Sequence, residues 1–199
     1  MNLFFSPTSP YARIVRLALM EKDLTAQVNE RQVNPWDGDP DLGAHNPIMR
    51  VPTLVTDDDL ALTESLLIVQ YLERQFPEPA LIPGNAAPRI LSLAGIGMGL
   101  IDSTVQLVLA RRFFGAGDPP GPFENRRLDG IRRAIVRLEG APPEPAGDIL
   151  DLSGIVLGVA LAYVSFRAPE VEWTTDHPGL ANWLADVNLR PSMRITAPA

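Results

Sequence analysis

Arg50-Val51-Pro52-Thr53-Leu54-Val55-Thr56-Asp57-Asp58-Asp59-Leu60-Ala61-Leu62-Thr63-Glu64-Ser65 is the stretch that decides the fold. Two short apolar runs, Thr53-Leu54-Val55 and Leu60-Ala61-Leu62, flank an acidic turn at Asp57 to Asp59. Glu64-Ser65 then opens an amphipathic segment, so the reading is strand, tight turn, strand, helix start. A helix N-terminus presents unpaired N–H groups and a partial positive charge, so a ligand carboxylate can sit at Ser65. Glu64 beside it can hold an ammonium group. Together they suit the two charges of an amino-acid head group. Pro52 cannot donate to a sheet, which places it at a strand's first residue or on an edge. A cis Val51-Pro52 bond would free the Val51 peptide groups to pair with an extended peptide. A trans proline starting a strand is the alternative.

Working outward, Asn2 to Phe5 reads as a buried strand. Ser9-Pro10 is an N-cap followed by proline at the first helical position. Tyr11 to Glu21 follows as a helix with Ile14, Val15, Leu17, Ala18 and Leu19 on its apolar face and Arg13 and Arg16 outside it. Thr25 to Arg31 reads as a second strand, Pro35 to Gly43 as a short helix or loop, and Leu66 to Gln75 as the helix closing the unit. The order β-α-β-α-β-β-α makes a mixed four-stranded sheet with helices on its faces. Prolines at 77, 79 and 83 break the pattern, and the expected boundary lies at residues 80 to 86. The expected domains are 1–79 and 86–199.

The rest reads as helix: Pro88 to Phe114, Phe123 to Leu138, Leu152 to Phe166, and a last helix from His177-Pro178 to about Leu189. Gly115 to Pro122 and the proline-rich Gly140 to Gly147 are loops. Gly95, Gly97 and Gly99 suit close packing against another helix or subunit, or a kink. Leu152 to Phe166 is the most apolar segment and is expected to be the buried centre of the second half.

Composition narrows the chemistry. The chain has 199 residues, 46% of them apolar, and a net charge of −7. Twelve acids against six bases in the first 78 residues argue against a nucleic-acid surface there. No run of eighteen apolar residues appears, so no membrane span is expected. No secretory signal is expected either, which places the protein in the cytoplasm. Without cysteine there are no disulfides, thiol nucleophiles or thiolate metal ligands, and His45 and His177 alone do not make a zinc site.

The chain resembles the glutathione transferase superfamily over nearly its full length. The resemblance rests on Ser6-Pro7-Thr8-Ser9-Pro10 before a helix, Asn46-Pro47 with Arg50-Val51-Pro52-Thr53-Leu54, and Leu62-Thr63-Glu64-Ser65 with Ile68, Tyr71 and Leu72. It is most similar to bacterial members with an active-site serine. It implies a thioredoxin-like first domain, an all-helical second domain, and a homodimer. It further implies glutathione as co-substrate, no metal, and a small electrophile bound between the domains.

Carried over residue by residue, Pro52 is the cis proline and Val51 pairs with the cysteinyl backbone of glutathione. Glu64 and Ser65 hold the γ-glutamyl amine and carboxylate, and Arg50 matches a position that often contacts the glycyl carboxylate. The thiolate needs a hydrogen-bond donor, and a thiol near pKa 8.5 reacts faster once that value is lowered. Ser9 matches the catalytic serine; Ser6 and Tyr11 are the other candidates. Pro10, Tyr11, Gln106, Leu109 and Phe113 match the electrophile pocket, and Asp102 either matches acids that reach the partner's glutathione amine or is an exposed helix acid. Met49 stands where the family has glycine. Asp151-Leu152-Ser153-Gly154 lacks the acid that completes the family's capping box, which predicts a weaker helix start. A non-catalytic binding or stress-regulatory protein on the same scaffold is the competing reading. A thioredoxin-like redox carrier is excluded by the missing cysteine pair.

Overall fold

The computed structural model describes residues 1–117, 119–141, 143 and 147–198. The expected loops at 115–122 and 140–147 both include positions outside the described residues. The chain divides into two compact units, Met1–Pro83 with Arg190–Ala199, and Gly84–Leu189.

The first unit is built on a four-stranded sheet of order β2-β1-β3-β4. Strand β1 is Asn2–Phe5, β2 Asn29–Gln32, β3 Thr53–Val55 and β4 Ala61–Thr63. β1 runs parallel to β2, while β3 is antiparallel to both β1 and β4. Helix α1 spans Pro10–Glu21, α2 Pro40–His45 and α3 Ser65–Gln75. Alternation along β1 sends Phe4 toward α2, where its ring meets His45, and Phe5 toward α1, where Arg16 lies over it. Leu3, Leu54, Val15, Ile68 and Leu72 fill the core.

The second strand begins later than the sequence suggests. Thr25–Gln27 form a 3-10 turn, and pairing starts at Asn29 opposite Asn2. The short helix is also displaced, capped by Asp39, which accepts from Asp41 N and Leu42 N. The proline-rich segment after α3 is fastened down. Lys22, the chain's lone lysine, is buried and donates to Glu73 Oε1 at 2.5 Å and to the Pro79 carbonyl at 2.7 Å. Glu73 in turn accepts from Leu81 N and Ile82 N, each at 3.1 Å.

The last ten residues also pack with this unit, where the sequence places them in the second domain. They carry a helix the sequence reading lacks, α9, Pro191–Ile195, numbered in chain order after the helices of the second unit given below. Arg13 is buried and not outside the apolar face, because it donates to the Met193 carbonyl at 2.9 Å and to Thr196 Oγ1 at 3.2 Å. Burial, and secondarily Arg16, lower its pKa to about 10, so it stays charged at neutral pH.

The second unit is helical, with α4 Ala87–Phe114, α5 Pro122–Glu139, α6 Leu152–Arg167, α7 Trp173–Asp176 and α8 Pro178–Asn188. α6 is its centre, with Leu152 to Leu161 continuously buried. Gly97 is the glycine that brings α4 onto α6: an added Cβ would stand 2.8 Å from Val156 Cγ1. Gly95 and Gly99 face open space. Among the described residues, α4 is a helix long and apolar enough to cross a membrane, and 33% of its most apolar stretch is buried in the structure. Asp151 caps α6, accepting from Gly154 N at 2.8 Å. Gly154 is explained by packing, since a Cβ there would come within 2.4 Å of Leu150 Cδ1.

Candidate functional site

The site is assembled from two helix starts and the turn before β3. Ser9 sits in extended backbone, so it ends the β1 loop and caps α1. Its Oγ accepts from Ala12 N at 3.2 Å, and its own N–H donates to the Ser6 carbonyl at 3.0 Å. A hydroxyl that accepts through a lone pair keeps its proton to donate elsewhere. Pro10 is buried, while Ser6 and Tyr11 are half-buried.

Ser65 opens α3. It is 2% exposed, and its Oγ donates to the Tyr11 carbonyl at 2.9 Å. Tyr11 lies in the first turn of α1, so this bond holds the two helix N-termini side by side. α3 has no side-chain cap, a feature it shares with α4, α5, α8 and α9. Its first amides are left to a ligand or to water.

Glu64 is the residue before that helix, with φ 66° and ψ 122°. A non-glycine residue held at positive φ stores roughly 1–3 kcal/mol of strain, and such positions cluster at functional sites. The β4–α3 junction imposes the conformation, because the Glu64 carbonyl already accepts the first helical bond, from Ile68 N at 3.0 Å. Its carboxylate Oε1 lies 3.9 Å from Arg50 Nη1.

Arg50 and Val51 precede β3. The Val51-Pro52 bond is cis. Asn46 organises the turn: its Nδ2 donates to the Arg50 carbonyl and to Thr53 Oγ1, each at 3.0 Å, and Ile48 N donates back to its Oδ1 at 3.1 Å. Met49, where the family has glycine, takes φ 57°. That left-handed conformation is the one glycine adopts without strain. Neither peptide group of Val51 meets a partner among the described residues.

Asp102, Gln106, Leu109 and Phe113 lie on α4 in the second unit. Gln106 and Phe113 are exposed and Leu109 is half-buried. A separate open cavity of about 460 Å³ on the α2 side of β1 is lined by Asn2, Phe4, Arg31, Asp41, His45 and Asp59, among others. Its charges are already engaged: Arg31 pairs with Asp39 and Asp41, and the Met1 ammonium pairs with Asp57. None of Ser9, Arg50, Val51, Glu64 or Ser65 lines it. Among the described residues, no group of His, Asp or Glu side chains is placed to hold a metal ion.

Comparison with known proteins agrees with this architecture. Residues 3–80 match the family model described as glutathione S-transferase, N-terminal domain. Over 212 residues the chain is 32% identical to glutathione S-transferase 2 of Saccharomyces cerevisiae, covering 98% of this chain and 88% of that protein. The chain belongs to the glutathione transferase family. A second full-length relative, the uncharacterized GST-like protein YibF of Escherichia coli K12, is 27% identical over 203 residues, 100% of this chain and 98% of that one. Among solved structures, a glutathione transferase family member from Pseudomonas fluorescens Pf-5 with bound glutathione superposes with a TM-score of 0.89. It is 33% identical, covering 100% of this chain and 98% of that one. The mixed sheet followed by a helical unit is thus the fold of this family.

Proposed function

We propose that the protein binds glutathione on its first unit and activates the thiol for attack on a small electrophile. The observation that carries this reading is the α3 N-terminus, which lacks a side-chain cap and is preceded by Glu64 in strained backbone. The ligand's γ-glutamyl carboxylate meets the open amides that begin at Ser65, where helix dipole and N–H groups both favour an anion. Its ammonium meets Glu64. Its cysteinyl peptide pairs with the N–H and C=O of Val51. The bound glutathione of the Pseudomonas relative supports glutathione as the ligand.

This placement leads the sulfur toward Ser9, whose N-capped helix start neighbours that of α3. Ser9 keeps its lone-pair bond from Ala12 N and donates its proton to the thiolate. A donor to the ionised form, together with the helix dipole, lowers the thiol pKa and raises the reactive fraction at neutral pH. The electrophile is proposed to meet Pro10 and Tyr11. Exposed Leu60 and Leu67 offer apolar surface for a homodimer, which sedimentation would reveal.

Isothermal titration of glutathione into wild type and into a Glu64→Ala, Ser65→Ala double variant tests the reading. Binding by wild type and none by the double variant is the expected result. No binding by wild type at millimolar glutathione overturns it and favours a non-catalytic scaffold.

A further inference from the structure

Helix α5 carries a glycine near its middle that packing does not require. Glycine inside a helix costs stability against alanine. Gly97 and Gly154 have a reason for it, since a Cβ at either would clash. At Gly130 an added Cβ would meet nothing closer than Ser103 Oγ at 3.9 Å and Arg133 Nη2 at 4.0 Å, which is ordinary contact. The missing side chain leaves a notch where α5 meets α4, with a hydroxyl on one side and a guanidinium on the other. Gly95 and Gly99 differ, because nothing stands within 4 Å of a Cβ there.

The groups around the notch are unpaired. Arg126, Arg133 and Arg137 are exposed, and neither they nor Ser103 have a side-chain hydrogen bond or ion pair among the described residues. The neighbouring acids are taken: Asp129 pairs with Arg132 at 3.5 Å, and Asp102, next to Ser103, is engaged. Residues 126, 130, 133 and 137 follow one stripe of α5, about 6, 4.5 and 6 Å apart along its axis. Beside the stripe Phe123 is exposed, with the Arg127 guanidinium over its ring at 4.9 Å. Arginine with an aromatic ring is the composition enriched in protein interfaces. A net charge of −7 repels nucleic acid and anionic bilayers, so the complement of this stripe is a local one.

We infer that the stripe docks an acidic helix of a protein partner. Carboxylates at i, i+7 and i+11 of that helix face Arg126, Arg133 and Arg137. One at i+4 enters the notch and accepts from the Ser103 hydroxyl and the Arg133 guanidinium. The 4-3-4 spacing reads the same in both directions, so it serves a partner helix running either way. Each exposed ion pair is weak alone, so recognition lies in the register and in the notch.

The experiment is fluorescence anisotropy at low ionic strength with two labelled alanine-based helical peptides of equal length and charge. One has glutamates at i, i+4, i+7 and i+11; the other has them scattered over all faces. Wild type binds the matched peptide about tenfold more tightly, the sum of a few exposed pairs. Gly130→Ala and Arg133→Gln each weaken it by about fivefold. Arg74→Gln, which removes an exposed charge from α3, leaves it unchanged. Gly130→Ala should also raise the melting temperature, which separates a filled notch from a damaged fold. Equal affinity for the two peptides, no binding of either, or unaltered affinity in Gly130→Ala overturns the inference. Tighter binding to phosphatidylglycerol vesicles or to a single-stranded oligonucleotide than to the matched peptide gives the stripe to a polyanion and overturns it as well. A lower sedimenting mass for Arg133→Gln than for wild type gives it to a second copy of the chain, with the same consequence.

Discussion

The Ser65 hydroxyl donates to the Tyr11 carbonyl oxygen across 2.9 Å, and that bond sets the spacing of the two helix starts at the candidate site. The group is buried, so water does not replace the bond when it is lost. Ser65→Ala is expected to destabilise the protein by about 1 kcal/mol, the usual net value of one such bond. Urea denaturation measures it. Glutathione affinity is expected to fall in the same variant, since the bond positions the α3 amides that are proposed to meet the ligand carboxylate.

Ser9 has two proposed jobs that different substitutions separate. Ser9→Ala removes the cap on Ala12 N, for about 1 kcal/mol of stability, and also removes the donor to the thiolate. Ser9→Asp keeps the cap but sets a negative charge beside the sulfur. Thermal melts should rank wild type and Ser9→Asp together, with Ser9→Ala below. Activity should fall in both. In pH–rate profiles the thiol limb should move up in both, toward the ordinary value near 8.5. An unmoved limb would hand the role to Ser6 or Tyr11.

Glu64 trades backbone strain for position. Glu64→Ala keeps a Cβ at φ 66° and with it the strain, whereas Glu64→Gly relieves it. The glycine variant is expected to be more stable than the alanine variant by about 1 kcal/mol, with glutathione binding absent from both. Equal stability would show that the surrounding structure does not resist this conformation.

How much of this was legible in the sequence depended on whether the signal was local. The strands flanking the Asp57 turn, the Ser9-Pro10 helix start and the Glu64-Ser65 junction are all written in neighbouring residues, and the structure has them. From sequence Arg13 falls outside the apolar face, because its partners, the Met193 carbonyl and Thr196, stand 180 and 183 residues away. Nothing near Lys22 in the chain signals its buried role, because its partner Glu73 is 51 residues distant. α9 has five residues, too few for a helical period to show. Gly154 read as a weakness because nothing local reveals that Leu150 folds over it.

Acid sensitivity has a source in the second unit. A hydrogen bond from Arg111 Nε at 2.8 Å, chiefly, holds the Glu124 carboxyl below its ordinary value, 4.5. The folded state therefore keeps Glu124 ionised to lower pH than the unfolded chain does. Its stabilisation is complete above the unfolded value and fades as pH falls through the folded one. Melting temperature should decline below about pH 5, and Glu124→Gln should make that decline shallower. An unchanged slope would place the acid sensitivity on other carboxylates, such as Asp58, whose pKa is lowered by Thr56.

The chain's end is bound to its beginning through Glu21. Arg190 reaches the Glu21 carboxylate with Nη2 at 2.7 Å and Nε at 3.2 Å, and Ser192 Oγ donates to it at 2.6 Å. The Glu21 side chain is only 5% exposed, so it depends on these partners for its charge. Removing one partner of a buried pair strands the other, at about 3 kcal/mol. Arg190→Ala is therefore expected to lower the urea midpoint strongly, and Glu21→Gln with Arg190→Met to recover much of the loss, because neither charge is then left alone. A chain ending at Leu189 loses these contacts and both Arg13 bonds together, and should be less stable than Arg190→Ala. Equal midpoints for Arg190→Ala and wild type would show that α9 is held by its apolar contacts and not by this ion pair.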